Sequence, residues 1–194
     1  MRARRRVSRA FDPIGRQAAR LGLTPNRLTL LGVAISFGGA ALIAAGHLAY
    51  GALVLGFGAT LDIIDGLLAR MTNRETQRGA FLDSFTDRVG EVAMWTGLAF
   101  YLADEGRSAL VMLTLVAVCG SLLIPYLRAK AEGEGVEGKG GLMGRAERIL
   151  VFCWGVGLAG VGVPILEWTI WVLTVLVWVT VLQRFFRTWV QLDA

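Results

Sequence analysis

Long apolar runs separated by short polar segments dominate the pattern of the chain. The six runs are Leu28–Ala45, Leu48–Leu68, Phe81–Leu102, Ala109–Leu127, Ile149–Val163 and Ile165–Phe186. Several of them reach the roughly 20 residues that a helix needs to cross a bilayer. Pro164 is expected to separate the fifth helix from the sixth, because proline interrupts helices. The pattern predicts an all-α integral membrane protein with six transmembrane helices.

The composition agrees with this interpretation. Hydrophobic residues make up 55% of the 194 residues, and the mean hydropathy is +0.57, whereas soluble domains are about 45–50% apolar. The 25 glycines are typical of helices that pack closely in membranes. Small residues concentrate at Gly32–Ser36 and Gly155–Gly160, which predicts close helix packing within one chain or between two. Both cysteines lie in apolar runs without metal-ligand spacing, so no zinc site is expected.

Lysine and arginine are concentrated in alternate connections between the apolar runs. Nineteen of the 20 Lys and Arg residues lie before Leu28, between Arg70 and Arg88, between Arg128 and Arg148, or at Arg184 and Arg187. The intervening connections hold only Arg107. Because positive residues stay on the cytoplasmic side, we expect a multi-pass protein of the cell membrane with both termini in the cytoplasm. The net charge of +5 then forms a cytoplasmic belt, which argues against nucleic-acid binding.

The N-terminal segment, residues 1–27, has a pattern of its own. Arginines crowd its start, and Asp12 can cap a helix that begins at Pro13. Apolar and basic residues then fall on opposite faces, which predicts an amphipathic helix on the inner leaflet. A basic tail that only sets the topology is the alternative. Residues 28–194 would form the transmembrane domain.

Four aspartates interrupt the second and third apolar runs. Asp62 and Asp65 share a face near the end of the second helix, and Asp83 and Asp87 share a face at the start of the third. A short cytoplasmic connection joins these helices, so both pairs should lie at one depth and face each other.

Four clustered carboxylates repel one another, and each charge within a spanning helix costs about 2.5–3.5 kcal/mol on insertion scales. Divalent cations offset both effects, and hard oxygen ligands select Mg²⁺, Mn²⁺ or Ca²⁺ over Zn²⁺. Two carboxylate pairs predict two ions, an arrangement suited to phosphoryl transfer. Gly66 leaves space beside the aspartates, and Arg70 can bind a phosphate. The alternative is that the aspartates are solvated and paired with nearby arginines.

The whole motif reads Asp62-x2-Asp65-Gly66-x2-Ala69-Arg70-x8-Gly79-x3-Asp83-x3-Asp87. It resembles the signature of the CDP-alcohol phosphotransferase family at every fixed position and every gap. The resemblance implies a homodimeric enzyme that transfers a phosphatidyl group from CDP-diacylglycerol to an alcohol and releases CMP.

The resemblance also assigns roles to residues. Asp62, Asp65, Asp83 and Asp87 would bind the metals, and Asp87 would also be the base that deprotonates the alcohol. The predicted contacts with the CDP-lipid are Asn26, Arg27, Leu28, Thr29, Gly66, Arg70 and Thr76.

A second set of cations suggests that the acceptor itself carries a phosphate. Arg128, Lys130, Arg145 and Arg148 lie between the fourth and fifth runs, and Arg184 ends the sixth. The segments Tyr126–Glu132 and Arg145–Arg148 resemble a group within the family, the actinobacterial phosphatidylinositol phosphate synthases, although a Lys–Arg pair is exchanged and a proline is absent. This resemblance implies that Arg128, Arg148 and Arg184 bind inositol phosphate. Glycerol 3-phosphate, giving phosphatidylglycerol phosphate, is the alternative acceptor.

Two functions of other classes compete with this interpretation. A divalent-cation channel or transporter would also place carboxylates in a membrane, but it needs polar residues along a full path, and the other apolar runs have almost none. A structural membrane protein would leave the pattern of carboxylates, glycines and arginine without a use. CMP formation from CDP-diacylglycerol distinguishes the enzyme from both.

Overall fold

The computed structural model describes residues 24–71 and 76–192, with backbone alone for residue 25 and residues 63–71. These described residues form six α-helices and no strand. The helices are α1 Pro25–Ala44, α2 Leu48–Met71, α3 Gln77–Asp104, α4 Ser108–Gly133, α5 Arg145–Gly160 and α6 Leu166–Leu192. The predicted all-α fold is thus confirmed, and each helix contains most or all of one apolar run.

The helices vary in how well they suit a membrane. Asn26–Ala44, Ser108–Gly133 and Leu166–Leu192 are long and apolar enough to cross a bilayer, by length and composition. In α2 the apolar part, Leu48–Asp62, is shorter. The predicted break at Pro164 is confirmed, because α5 ends before it and α6 begins after it. The predicted interfacial helix falls within residues 1–23, which lie outside the described part of the chain.

The main contacts between helices form a closed ring. In order around the ring, α1 packs on α2, α2 on α5, α5 on α6, α6 on α4, α4 on α3, and α3 again on α1. Side chains from α3 and α5 meet across the interior. The rings of Trp95 and Phe152 pack edge to face at 5.2 Å, and both side chains are fully buried.

Glycines allow the backbones of neighbouring helices to touch. A Cβ atom on Gly51 would lie 2.7 Å from the carbonyl oxygen of Gly39. The absence of this atom allows α1 and α2 to touch. A Cβ on Gly97 would collide with the backbone of Ala40, and one on Gly160 with the backbone of Ala49. The small-residue faces predicted at Gly32–Ser36 and Gly155–Gly160 also pack within this chain, because Gly58 lies against the first face and Thr169 against the second.

The connection between α4 and α5 is held along the end of α6. The side-chain amide of Gln191 donates to the carbonyl of Glu137 and accepts from its N–H, at 3.1 and 3.0 Å. Further along, Gln183 accepts from the N–H of Leu142 at 2.8 Å and Thr180 from that of Met143 at 3.1 Å. This fixed connection leads directly into Arg145, the first residue of α5.

Candidate metal centre

Three aspartates carried by α2 and α3 converge. Asp62 lies just past the middle of α2, and Asp83 and Asp87 lie one turn apart in the first half of α3. One carboxylate oxygen from each falls within 4.8 Å of the other two. Thr76 caps α3, because its hydroxyl oxygen accepts from the N–H of Gly79 at 3.0 Å. The structure thus brings together three of the four aspartates that the sequence predicts to face one another.

The fourth aspartate belongs to the stretch whose side chains are not described. The side chains of Asp65 and Arg70 lie outside the described residues, and Gly66 falls in the same stretch. Their backbone continues α2. Asp65 follows Asp62 by three residues, so the helix places both on one face.

The donor set fits a hard divalent cation. It consists of carboxylate oxygens, which Mg²⁺ and Mn²⁺ prefer in proteins. In addition, the Oδ1 atom of Asp87 is buried and accepts no hydrogen bond. A buried carboxylate oxygen without a donor is costly, and coordination to a cation would satisfy it.

Arg145 reaches the same carboxylates from a third helix. Its Nη1 donates to Oδ2 of Asp62 and lies 2.7 Å from Oδ1 of Asp87. The latter contact is an ion pair without the alignment of a hydrogen bond. Burial alone would lower the pKa of Arg145, but the charges of Asp87 and Asp62 outweigh it and raise that pKa above its ordinary value. Arg145 is therefore a permanent cation at this site.

Two of the predicted nucleotide contacts lie beside each other. A Cβ on Gly79 would be 3.1 Å from the hydroxyl of Thr76 and 3.4 Å from Oδ1 of Asn26. The starts of α1 and α3 therefore meet at a glycine that leaves room for a ligand. Next along α1, Arg27 is exposed, whereas Leu28 and Thr29 are buried.

Arg148, which is predicted to bind the phosphate of the acceptor, forms an ion pair with a carboxylate of the protein. Its Nε and Nη2 donate to the two oxygens of Glu91 at 2.7 and 3.1 Å. Arg148 and Glu91 are each only 1% exposed. In this arrangement the guanidinium of Arg148 does not face solvent, so its predicted role stays a prediction.

The other two residues predicted to bind the phosphate of the acceptor, Arg184 and Arg128, lie nearer the surface. Arg184 donates to the carbonyl of Gly140 at 2.9 Å and to that of Ile124 at 2.8 Å. Arg128 is half-exposed and pairs with Glu132 at 2.8 Å. The charges of Arg128 and Arg148 act unfavourably on that of Arg184, so both arginines lie within electrostatic range of Arg184.

Two residues of the site were not among those predicted from the sequence. Glu91 continues the spacing of four that relates Asp83 to Asp87, so its position on the same face of α3 was readable. Arg145 stood among the cations before the fifth run, but no local pattern related it to the aspartates. Its ion pair depends on how α5 packs against α2.

Comparison with known proteins decides the family. The model of the CDP-alcohol phosphatidyltransferase family matches residues 22–191. The phosphatidylinositol phosphate synthase of Mycolicibacterium smegmatis is 39% identical over 178 residues, which cover 89% of this chain and 80% of that protein. The enzyme of the same name from Corynebacterium glutamicum is 37% identical over 177 residues, 89% of this chain and 81% of that one. The chain belongs to the CDP-alcohol phosphatidyltransferase family.

Solved structures agree with this assignment. A crystal structure of Mycobacterium tuberculosis phosphatidylinositol phosphate synthase with CDP-DAG bound matches with a TM-score of 0.85 and 36% identity, covering 91% of this chain and 92% of that one. A structure of the same enzyme in complex with manganese and citrate gives a TM-score of 0.84 and 35% identity, covering 91% and 88%. The family predicted from the aspartate motif is therefore confirmed, and a metal-dependent CDP-alcohol phosphatidyltransferase fold carries these carboxylates.

Proposed function

We propose that this enzyme transfers the phosphatidyl group of CDP-diacylglycerol to inositol phosphate, giving phosphatidylinositol phosphate and CMP. The observation that carries the proposal is the convergence of Asp62, Asp83 and Asp87 within 4.8 Å, on a chain that is 39% identical to a phosphatidylinositol phosphate synthase. The relative solved with CDP-DAG bound supports the donor.

The aspartates would hold the divalent cations. Asp62, Asp65, Asp83 and Asp87 supply oxygen ligands for Mg²⁺ or Mn²⁺, and we propose two ions. When bound, the cations supply charge neutralisation of the pyrophosphate and of the departing CMP. The manganese complex of the mycobacterial relative supports a divalent metal.

Asp87 is the proposed general base. The acceptor hydroxyl forms an O–P bond to the phosphorus on the lipid side, the bond from that phosphorus to the CMP oxygen breaks, and Asp87 receives the hydroxyl proton. An alcohol is a weak nucleophile while protonated, so a base at this position raises the rate. The Oδ1 atom of Asp87 accepts no hydrogen bond from the protein, so it can receive the proton once its ion pair with Arg145 has opened.

The CDP moiety would lie over the starts of α1 and α3. Asn26 and Thr76 flank Gly79 there, and we propose that they contact the nucleotide together with Arg27, Leu28 and Thr29. Gly66 and Arg70 would contact the pyrophosphate from α2.

The acceptor phosphate would bind among the arginines of α4, α5 and α6. We propose Arg128, Arg148 and Arg184 as its ligands. The charges of Arg128 and Arg148 act unfavourably on that of Arg184, and a phosphate bound near Arg184 would relieve that repulsion. Arg148 would have to share its guanidinium with Glu91, so Arg128 and Arg184 are the more accessible of the three.

The six helices would cross the cell membrane with both termini and the aspartates at the cytoplasmic side. The distribution of Lys and Arg supports this orientation. We also propose a homodimer. Exposed aromatic and aliphatic side chains around the ring, such as Phe37, Phe57 and Phe100, suit contact with lipid or with a second copy.

An acceptor competition tests the proposal. Purified protein with Mg²⁺ and CDP-diacylglycerol receives inositol 1-phosphate, inositol, glycerol 3-phosphate or serine, and CMP release is measured. We expect turnover with inositol phosphate alone. Turnover with glycerol 3-phosphate instead would retain the metals and Asp87 but reject the acceptor. No CMP with any acceptor would contradict the proposed reaction.

A further inference from the structure

Arg145 is placed to compete with a cation. It reaches from the first residue of α5 to Asp62 on α2 and Asp87 on α3. These two aspartates belong to the group whose oxygens lie within 4.8 Å of one another. A single Nη1 atom contacts both of them, so a positive group already lies between two of the candidate ligands.

The guanidinium and a divalent cation require the same two carboxylates. Both are attracted by the negative charge of Asp62 and Asp87, and like charges at this separation repel. A cation that takes these oxygens therefore weakens or replaces the ion pairs of Arg145. Arg88 lies 3.2 Å from Oδ2 of Asp87. Both residues belong to α3, so this ion pair does not connect Asp87 to Asp62 on α2.

Arg145 is not needed to hold the start of α5 in place. One turn on, Arg148 anchors the same helix to α3 through two hydrogen bonds to Glu91. The preceding residue pair, Leu142 and Met143, is held to α6 by Gln183 and Thr180. The Nε of Arg145 is buried without an acceptor, which is not the arrangement expected of a side chain fixed for structural support.

Room for an alternative position of this side chain lies next to it. A groove of about 540 Å³ between α2 and α5 is lined in part by Gly56, Thr60, Asp62, Arg145 and Ile149. The side chain of Arg145 is 25% exposed. The guanidinium can therefore leave the aspartates and move toward solvent without unpacking the helices.

We propose that Arg145 is an internal competitor of the divalent cation, occupying Asp62 and Asp87 until the cation displaces it. This inference rests on the proposed metal site. Arg145 neutralises two repelling carboxylates, which stabilises the site, and it also sets how tightly the cation binds there.

Manganese binding measured without any CDP-lipid tests this role. Full-length protein in detergent is titrated with Mn²⁺, and free Mn²⁺ is followed by electron paramagnetic resonance. Arg145→Gln removes the competing charge, so its dissociation constant for Mn²⁺ is expected to fall by on the order of tenfold, the equivalent of about 1.4 kcal/mol. Arg145→Lys keeps a charge but loses the planar fork, and an intermediate shift is expected. Arg187→Gln is the matched control, because Arg187 is exposed near the end of α6 and has no proposed role in binding; it should leave Mn²⁺ binding unchanged.

The outcomes separate this inference from the proposed function. If the wild type binds Mn²⁺ and Arg145→Gln binds it equally or more weakly while its thermal unfolding is unchanged, Arg145 supports the site and does not compete. Should Arg145→Gln not be recovered folded, an unchanged affinity of Arg145→Lys would overturn the inference in the same way. If neither the wild type nor the variants bind Mn²⁺, the metal site itself is wrong. An equal gain of affinity in Arg187→Gln would show that the effect comes from the general positive charge of the protein and would overturn the specific role of Arg145.

Discussion

At the scale of single residues, Asp87 combines two demands that conflict. It forms ion pairs with Arg145 at 2.7 Å and with Arg88 at 3.2 Å. Both ion pairs favour the charged form of the carboxylate. A general base must instead accept a proton during the reaction and become neutral. The Oδ1 atom of Asp87, which accepts no hydrogen bond, is the oxygen that Arg145 contacts, so a cation or a hydroxyl can reach it once that ion pair opens.

The variant Asp87→Asn tests the proposed base. The amide keeps the size of the side chain but cannot accept the proton, so the kcat for CMP release should fall by roughly 10²–10⁴. Binding of CDP should change much less, because its proposed contacts Asn26 and Thr76 lie beside Gly79, about two turns before Asp87 on α3. Asp104→Asn, at the exposed far end of the same helix, is the matched control. Turnover by Asp87→Asn close to that of this control would reject the assignment.

At the scale of helices, the sequence predicted the elements better than their partners. Apolar runs fixed the six helices to within a few residues at most ends, because the period and length of such runs are local properties. Which helices are neighbours in the ring depends on which backbones can approach each other closely. A glycine such as Gly97 indicates that a close contact exists, but it does not indicate which helix makes that contact. For the same reason the aspartates were found from their spacing, whereas Arg145 was not assigned to them.

Gly97 shows how strongly one contact between helices depends on a missing side chain. A Cβ there would meet backbone atoms of Ala40, with its Cα at 2.9 Å. Gly97→Ala should therefore push α3 from α1 and lower the free energy of unfolding by about 1–3 kcal/mol. Gly38→Ala, where nothing lies within 4 Å, is the control and should be neutral or slightly stabilising, since alanine favours helices. Thermal unfolding in detergent compares the two. Equal stability of both variants would show that α1 and α3 do not touch here.

At the scale of the whole molecule, the ring of helices surrounds a buried charge pair. Glu91 and Arg148 join α3 to α5 across the interior, beside the contact of Trp95 with Phe152. Breaking one member of such a pair is expensive, whereas replacing both by apolar residues is often neutral. The pair therefore contributes little net stability, which raises the question of why the enzyme has it.

A double substitution separates structure from function at this pair. Glu91→Gln leaves the charge of Arg148 buried, so it should lower the free energy of unfolding by about 3–5 kcal/mol. Glu91→Met combined with Arg148→Met removes both charges and should recover most of that loss in thermal unfolding. If Arg148 binds the acceptor phosphate, this stable double variant should still have a raised KM for inositol phosphate, with Mn²⁺ binding retained. Recovery of stability with unchanged acceptor KM would remove Arg148 from the acceptor site and leave Arg128 and Arg184 as its proposed ligands.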